Sequence, residues 1–136
     1  MKRLSLALYS LLAMLTLGCS DANLGIISGT VTVDGQPAKT GWIGFTPLDG
    51  KQGPQGGEIL DGAYTATVPT GPSRVEIRVP KIVGQTKIYN TKDSPIQDVM
   101  QESLPPKYNE RSELTYDVPS GKSEKNFDLS TKTKSK

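Results

Sequence analysis

The sequence predicts an all-β fold: an antiparallel Greek-key β-sandwich of about seven strands. Three observations predict it. Apolar and polar residues alternate with period two along several short runs, the pattern of half-buried strands. Gly- and Pro-containing turn dipeptides stand between those runs. No strand–helix–strand spacing occurs, so a parallel sheet is disfavoured.

The first run has Ile27, Gly29, Val31 and Val33 alternating with Ser28, Thr30 and Thr32. Asp34-Gly35-Gln36-Pro37 then turns the chain, because Gly takes the positive φ that a tight hairpin requires. Trp42 to Pro47 forms the next strand, with Ile43 and Phe45 on one face and Trp42 and Thr46 on the other. After the Gly/Pro-rich stretch from Asp49 to Gly57, a second hairpin runs Glu58-Ile59-Leu60, Asp61-Gly62, Ala63 to Val68. Thr70-Gly71-Pro72 turns again, and Arg74 to Val79 places Val75, Ile77 and Val79 opposite Arg74, Glu76 and Arg78. Leu114, Tyr116 and Val118 alternate with polar neighbours, and Phe127 and Leu129 close the domain. The expected core is Val31, Phe45, Tyr64, Val75, Ile77, Leu114 and Phe127.

Lys81 to Arg111 is too long for a plain hairpin connection. Within it Ser94-Pro95-Ile96-Gln97 reads as a helix start, with Ser94 as cap, Pro95 at the first helical position and Gln97 as capping-box partner. Ile96, Val99, Met100 and Leu104 would share one helical face. The spacing therefore predicts a short helix over 95–102, ended by Pro105-Pro106 and lying with its apolar face on the sandwich. The crossover is expected to cover a sheet edge or an open end of the core.

The N-terminal end has the layout of a secretory signal: Met1-Lys2-Arg3, an apolar run from Leu4 to Leu17, then Gly18-Cys19. The run falls short of the ~20 apolar residues a membrane helix needs. Thr16-Leu17-Gly18-Cys19 resembles the bacterial lipobox, with Thr16 where Leu is commonest. The resemblance implies that Cys19, the single cysteine, becomes the acylated first residue of the mature chain, a membrane partner held through lipid. The alternative is an ordinary secreted protein with an unmodified Cys19. The expected organisation is a signal over 1–18, the lipidated Cys and tether over 19–25, the domain over 26–129 and a basic, disordered tail over 130–136. Removing 1–18 takes Lys2 and Arg3 away, which brings the 16 basic residues level with the 14 acidic ones. A neutral domain argues against nucleic acid. The tail reads as a solvated end or, secondarily, as a contact for anionic lipid or a polyanionic polymer. Asp21 lies one place beyond the residue after Cys19, which mildly favours the outer membrane over the inner.

Gly29-Thr30-Val31-Thr32-Val33-Asp34-Gly35-Gln36-Pro37 followed by Ile43-Gly44-Phe45-Thr46-Pro47, and later Asp61-Gly62-Ala63-Tyr64-Thr65-Ala66-Thr67-Val68-Pro69-Thr70-Gly71, resemble carboxypeptidase regulatory-like domains. Leu104-Pro105-Pro106-Lys107-Tyr108-Asn109, Ser112-Glu113-Leu114-Thr115 and Phe127-Asp128-Leu129 are similar to the closing half of small bacterial lipoproteins on that fold. The resemblance implies a transthyretin-like (prealbumin-like) β-sandwich over about Ile26 to Leu129, acting as an accessory folding or interaction module. It carries no catalytic residues onto this chain. The hydroxyisourate-hydrolysing branch uses histidines and a C-terminal Tyr-Arg-Gly-Ser, and this sequence has neither.

The absence of His removes the usual general base and the commonest metal ligand. Asp34, Asp49 and Asp61 each precede Gly and are explained by turns. No cofactor or metal is expected. The composition therefore favours a non-enzymatic, lipid-anchored module that binds or scaffolds an envelope protein or glycan. Candidate contacts are Trp42, Tyr89 and Tyr108, since aromatics combine apolar area with a polar handle. For Tyr108 the plainer role is packing against Pro105-Pro106 and tying down its loop. Trp42 is either a second-face contact under the crossover or an exposed binding residue. A carbohydrate-binding surface module is the alternative, limited by an aromatic content of 6%. An enzyme built on a carboxylate pair is the remotest reading.

Overall fold

The computed structural model describes residues 23–132. Its strands are, in chain order, β1 (Leu24–Val33), β2 (Gln36–Pro37), β3 (Thr40–Pro47), β4 (Gln55–Leu60), β5 (Ala63–Pro69) and β6 (Gly71–Arg78). Then come β7 (Pro80–Lys87), β8 (Ile96–Glu102), a 3-10 turn at Pro106–Tyr108, β9 (Thr115–Val118), β10 (Gly121–Glu124) and β11 (Phe127–Leu129).

Two Asp-Gly dipeptides set the hairpins. Asp34 and Gly35 have φ of 51° and 81°, and Asp61 and Gly62 have φ of 48° and 81°. Two successive positive values make the primed turn whose twist matches antiparallel strands. Val33 accordingly faces Gln36, and Leu60 faces Ala63. The second turn also binds the two arms of the first hairpin: the Gly62 N–H donates to the Ala38 carbonyl, and the Val31 N–H to the Gly62 carbonyl, both at 2.7 Å.

The body is one curled sheet in the order β10-β1-β5-β4-β3-β6-β9, with β2 and β11 added along β1. β3, β4 and β5 are consecutive neighbours, and β6 returns beside β3, which is the Greek-key order. β5 and β6 are joined by Thr70 alone, although β4 and β3 lie between them in the sheet. One residue spans that gap only if the sheet folds over, so the β1/β5 side faces the β3/β6 side. β4 sits at the fold, with six residue pairs to β3 and two to β5. The body is thus a sandwich-like, mainly antiparallel all-β fold, as the alternation predicted, with more strands than seven in total.

The interior is built from the inward members of each alternation. Ile27 and Val31 of β1, Ile43 and Phe45 of β3, Ile59 of β4, Val68 of β5 and Val75 and Ile77 of β6 are fully buried. Each such side chain contributes about 1.5–3 kcal/mol by leaving water. Tyr64 and Phe127, also expected inside, are buried with ring centroids 6.3 Å apart. Leu114 stands half-buried at the rim, where its carbonyl accepts the Val75 N–H at 2.8 Å.

One pairing departs from the otherwise antiparallel body, and one expectation is corrected. β1 pairs in parallel with β10 and β11. No dedicated crossover helix is needed, because the chain between β1 and β10 already runs through the rest of the domain, and Pro119-Ser120 then turns it from the end of β9 onto the adjacent β1 edge. The helix expected over 95–102 is instead strand β8, paired with β7 across seven register positions. A helix that short is marginal alone, whereas β7 offers a complete partner edge. Ser94 does not cap a helix. Its Oγ accepts the Tyr89 N–H at 2.7 Å inside the hairpin tip.

The strands also define two poles. Leu24 pairs with Pro69, and the Thr70 N–H donates to the Asn23 carbonyl at 2.9 Å, so Leu24 and Gly25, expected in the tether, open β1 beside the β5–β6 turn. The ten residues of β1 rise ~3.3 Å each. They carry the chain ~33 Å to the opposite pole, where Asp34, Lys39, Asp61 and the end of β6 meet.

At that far pole Asp34 clamps the chain end. Its carboxylate accepts hydrogen bonds from Thr131 Oγ1 (2.5 Å), Thr131 N–H (3.1 Å) and Ser130 Oγ (3.1 Å). Ser130 and Thr131, assigned in the sequence to a disordered tail, are therefore held; residues 133–136 lie outside the described residues. The Thr131 hydroxyl, then the Thr131 N–H, hold the Asp34 carboxyl below its usual range, with help from the Ser130 hydroxyl and the Lys132 charge. A lowered folded value means the native state binds its proton less readily. The clamp is complete above the unfolded value of ~3.9 and is lost as the pH falls through the folded value. We expect the Thr131 amide to lose its protection against exchange, relative to the intrinsic rate at the same pH, in Asp34→Ala at neutral pH, and in the wild type only under acid. Unchanged protection of Thr131 in that variant would refute the clamp.

Candidate functional site

β7 and β8 form a two-stranded ribbon separate from the body sheet. Pro80 faces Glu102, Ile82 faces Met100 and Lys87 faces Ile96, with a register shift between Ile82 and Gly84 that leaves Val83 bulged. At the tip the Ile88 N–H donates to the Pro95 carbonyl at 3.0 Å and the Ser94 N–H to the Thr91 carbonyl at 3.3 Å. This tip explains why Asn, Thr, Asp, Ser and Pro crowd between 90 and 95: they are turn formers between two apolar runs.

The base of the ribbon is firmly fixed. Glu102 Oε1 accepts the Val79 and Leu104 N–H groups, each at 3.0 Å, and Ser103 Oγ donates to the Val79 carbonyl at 2.5 Å. Beyond it, buried Leu104 and Asn109 seat the 3-10 turn on the body. The long crossover is thus two things. Residues 103–111 cover the end of the core, as expected, while 80–102 project from it.

Seven of the eleven large apolar side chains that stand exposed among the described residues lie on this projection: Ile82, Val83, Ile88, Tyr89, Ile96, Val99 and Met100. Tyr89 is 65% exposed at the tip and Ile96 is 63% exposed. Scattered exposed apolar residues are ordinary, but their concentration on one projecting element, over both of its faces, sets this segment apart from the rest of the surface. An isolated two-stranded ribbon is also marginal in water.

The sequence-predicted contacts occupy three separate elements. Tyr89 is on the tip. Trp42 points outward from β3, 37% exposed, with its ring lying on Gly44, where an added Cβ would come within 2.0 Å of it. Tyr108 is half-buried against the core: its hydroxyl accepts the Ser130 N–H at 3.3 Å, and the Lys107 ammonium stands 4.9 Å from its ring centroid. Cys19 lies outside the described residues. Ile82, Val83, Val99 and Met100 were not read as contacts. The signal available was a pair of β-branched runs on either side of turn residues.

Between the β1–β2 hairpin and the ribbon base lies an open cleft of about 630 Å³. Pro37, Ala38, Val79, Ile82 and Met100 line it, and Asp34 lies at its rim. The Asp34 carboxylate is already engaged by Ser130 and Thr131. Among the described residues no three of His, Cys, Asp and Glu gather to hold a metal ion, and the ion pair present is Arg74–Glu76 at 3.0 Å on the surface. What the arrangement offers is contact: apolar side chains, two strand edges and a shallow groove at one pole.

No family profile, curated protein or solved structure matches this chain. Among the described residues no helix is long and apolar enough to cross a membrane.

Proposed function

We propose that this chain is a lipid-anchored module of the bacterial cell envelope that binds or scaffolds a protein partner without catalysis. The observation that carries the reading is the exposed apolar ribbon at the pole opposite the tether. Leu24 lies five residue steps beyond Cys19, and at ~3.6 Å per step they reach ~18 Å at most. A lipid on Cys19 would therefore hold the β5–β6 turn near the bilayer and present the ribbon away from it.

The reading also places the sandwich with the carboxypeptidase regulatory-like, transthyretin-like domains. In its favour, the Gly29–Pro37 motif forms β1, the primed turn and β2, and the Asp61–Gly71 motif forms the second primed turn and β5. A protein partner suits the surface better than a glycan. Sugar stacking calls for neighbouring aromatic faces, and Trp42 and Tyr89 sit on different elements.

Two measurements test it. Intact mass of the membrane-extracted protein should show a chain beginning at Cys19 with acyl groups attached, and Cys19→Ser should leave the membrane fraction. A mature chain with a free Cys19 thiol would refute the anchor. A photo-crosslinker at position 89, used on native membranes, should give discrete protein adducts that the same group at Leu48, near the tether pole, does not. Adducts absent at 89 would refute the ribbon as the contact surface.

A further inference from the structure

We infer that the ribbon's β8 edge pairs with the β8 edge of a second copy of this chain, making a symmetric dimer through a continuous four-stranded sheet. The inference rests on the contact reading above and names its partner. The two edges of the ribbon differ sharply. β7 carries the devices that discourage edge pairing: Pro80, Lys81, Gly84, Lys87 and the bulge at Val83. β8, Ile-Gln-Asp-Val-Met-Gln-Glu, has no Pro, Gly, Lys or bulge along its seven residues.

The backbone hydrogen bonds fix which groups face outward. The Ser103 N–H donates to Val79 and the Pro95 carbonyl accepts from Ile88, and no bulge intervenes on β8. The odd-numbered residues of β8 are therefore turned toward β7. Ile96, Asp98 and Met100 present their N–H and C=O groups to the open edge. An antiparallel two-fold pair joined through those residues has few registers. Centring it on Asp98 would set Asp98 against its own copy, which like charges oppose. Centring it on Val99 overlaps the whole strand. Asp98 then faces Met100 of the other copy, Gln97 faces Gln101, and Val99 meets Val99 across the axis as a non-hydrogen-bonded pair. The alternative through β7 centred on Gly84 would set Lys81 against Lys87.

Cα atoms of such a pair lie ~4.5 Å apart, within disulfide reach. Full-length Val99→Cys, oxidised in native membranes, should give a disulfide-linked dimer, while the parent chain should not. Gly84→Cys on β7 should not either, since three strand spacings, ~14 Å, would separate its two copies. Met100→Pro removes one outward N–H and no rung to β7; the detergent-extracted protein should fall from two chains to one in sedimentation. A Val99→Cys protein that stays monomeric, equal linkage through Gly84→Cys, or a wild type that sediments as one chain would each overturn the dimer. If position 89 still captures a different protein, self-pairing alone fails; if position 89 captures nothing, the contact reading fails with it.

Discussion

Replacing Phe45 by Ala is expected to lower the free energy of unfolding by about 3–5 kcal/mol. Phe45 is fully buried on β3, its strand is flanked by β4 and β6 with Val75 as its β6 partner, and its ring meets that of Tyr116 edge-on at 6.5 Å. The truncation removes apolar surface from the middle of the core. It leaves a cavity that strands paired on both sides cannot close. Domains of this kind are stable by only ~5–15 kcal/mol, so the loss is a large share of the total. Urea unfolding should show the midpoint falling with its slope unchanged. Thr65→Ala, on the exposed side of β5, should move it by no more than ~0.5 kcal/mol. A Phe45→Ala loss below ~1 kcal/mol would mean the folded-over sheet does not close on Phe45 as described.

The second large effect belongs to Gly29→Ala. β1 pairs with β10 as far as Ser28 and with β11 from Val31, and Lys125-Asn126 bridge the gap. There the Lys125 N–H donates to the Ser28 carbonyl at 2.9 Å, Asn126 Oδ1 accepts the Thr30 N–H at 2.8 Å, and the Tyr64 hydroxyl donates to the Lys125 carbonyl at 2.6 Å. A Cβ on Gly29 would lie 1.9 Å from that same Lys125 carbonyl oxygen. The neighbour is backbone, so the edge must move and take the Tyr64 bond with it. We expect a loss of about 3 kcal/mol, the upper part of the range for overpacking, together with faster amide exchange along β10 and β11. Exchange unchanged at Lys125 would contradict the close approach. Tyr64→Phe separates the two contributions, since it removes only the hydroxyl and should cost about 1–3 kcal/mol.

Gly29 also shows where reading by period stops. In the alternation it takes an inward place like Ile27 and Val31, and nothing local marks it as the point where β1 changes neighbours. The Asp-Gly turns were legible because their φ requirement is local, and the same holds for the inward Val75 and Ile77. The segment from Ser94 to Glu102 was not. Ile96, Val99 and Met100 stand at spacings that suit one face of a helix. The decision between helix and strand lay with Ile82 to Lys87, nine or more residues from their partners, whose backbone supplies the rungs. Trp42 illustrates the same limit. Its outward direction followed from alternation, whereas its seat on Gly44 depends on the sheet surface.

From the sequence alone came the β class, the positions of both primed turns, the inward side chains and the expectation of a lipid on Cys19. Each rests on interactions between residues a few places apart or on a recognisable terminal pattern. The tertiary structure alone decided that the sheet folds over at β4, that β10 and β11 lie parallel along β1, and that 80–102 leave the body as a ribbon. Those outcomes turn on backbone hydrogen bonds between distant segments, whose donors and acceptors are the same in every residue but proline and so leave almost no trace in side-chain order.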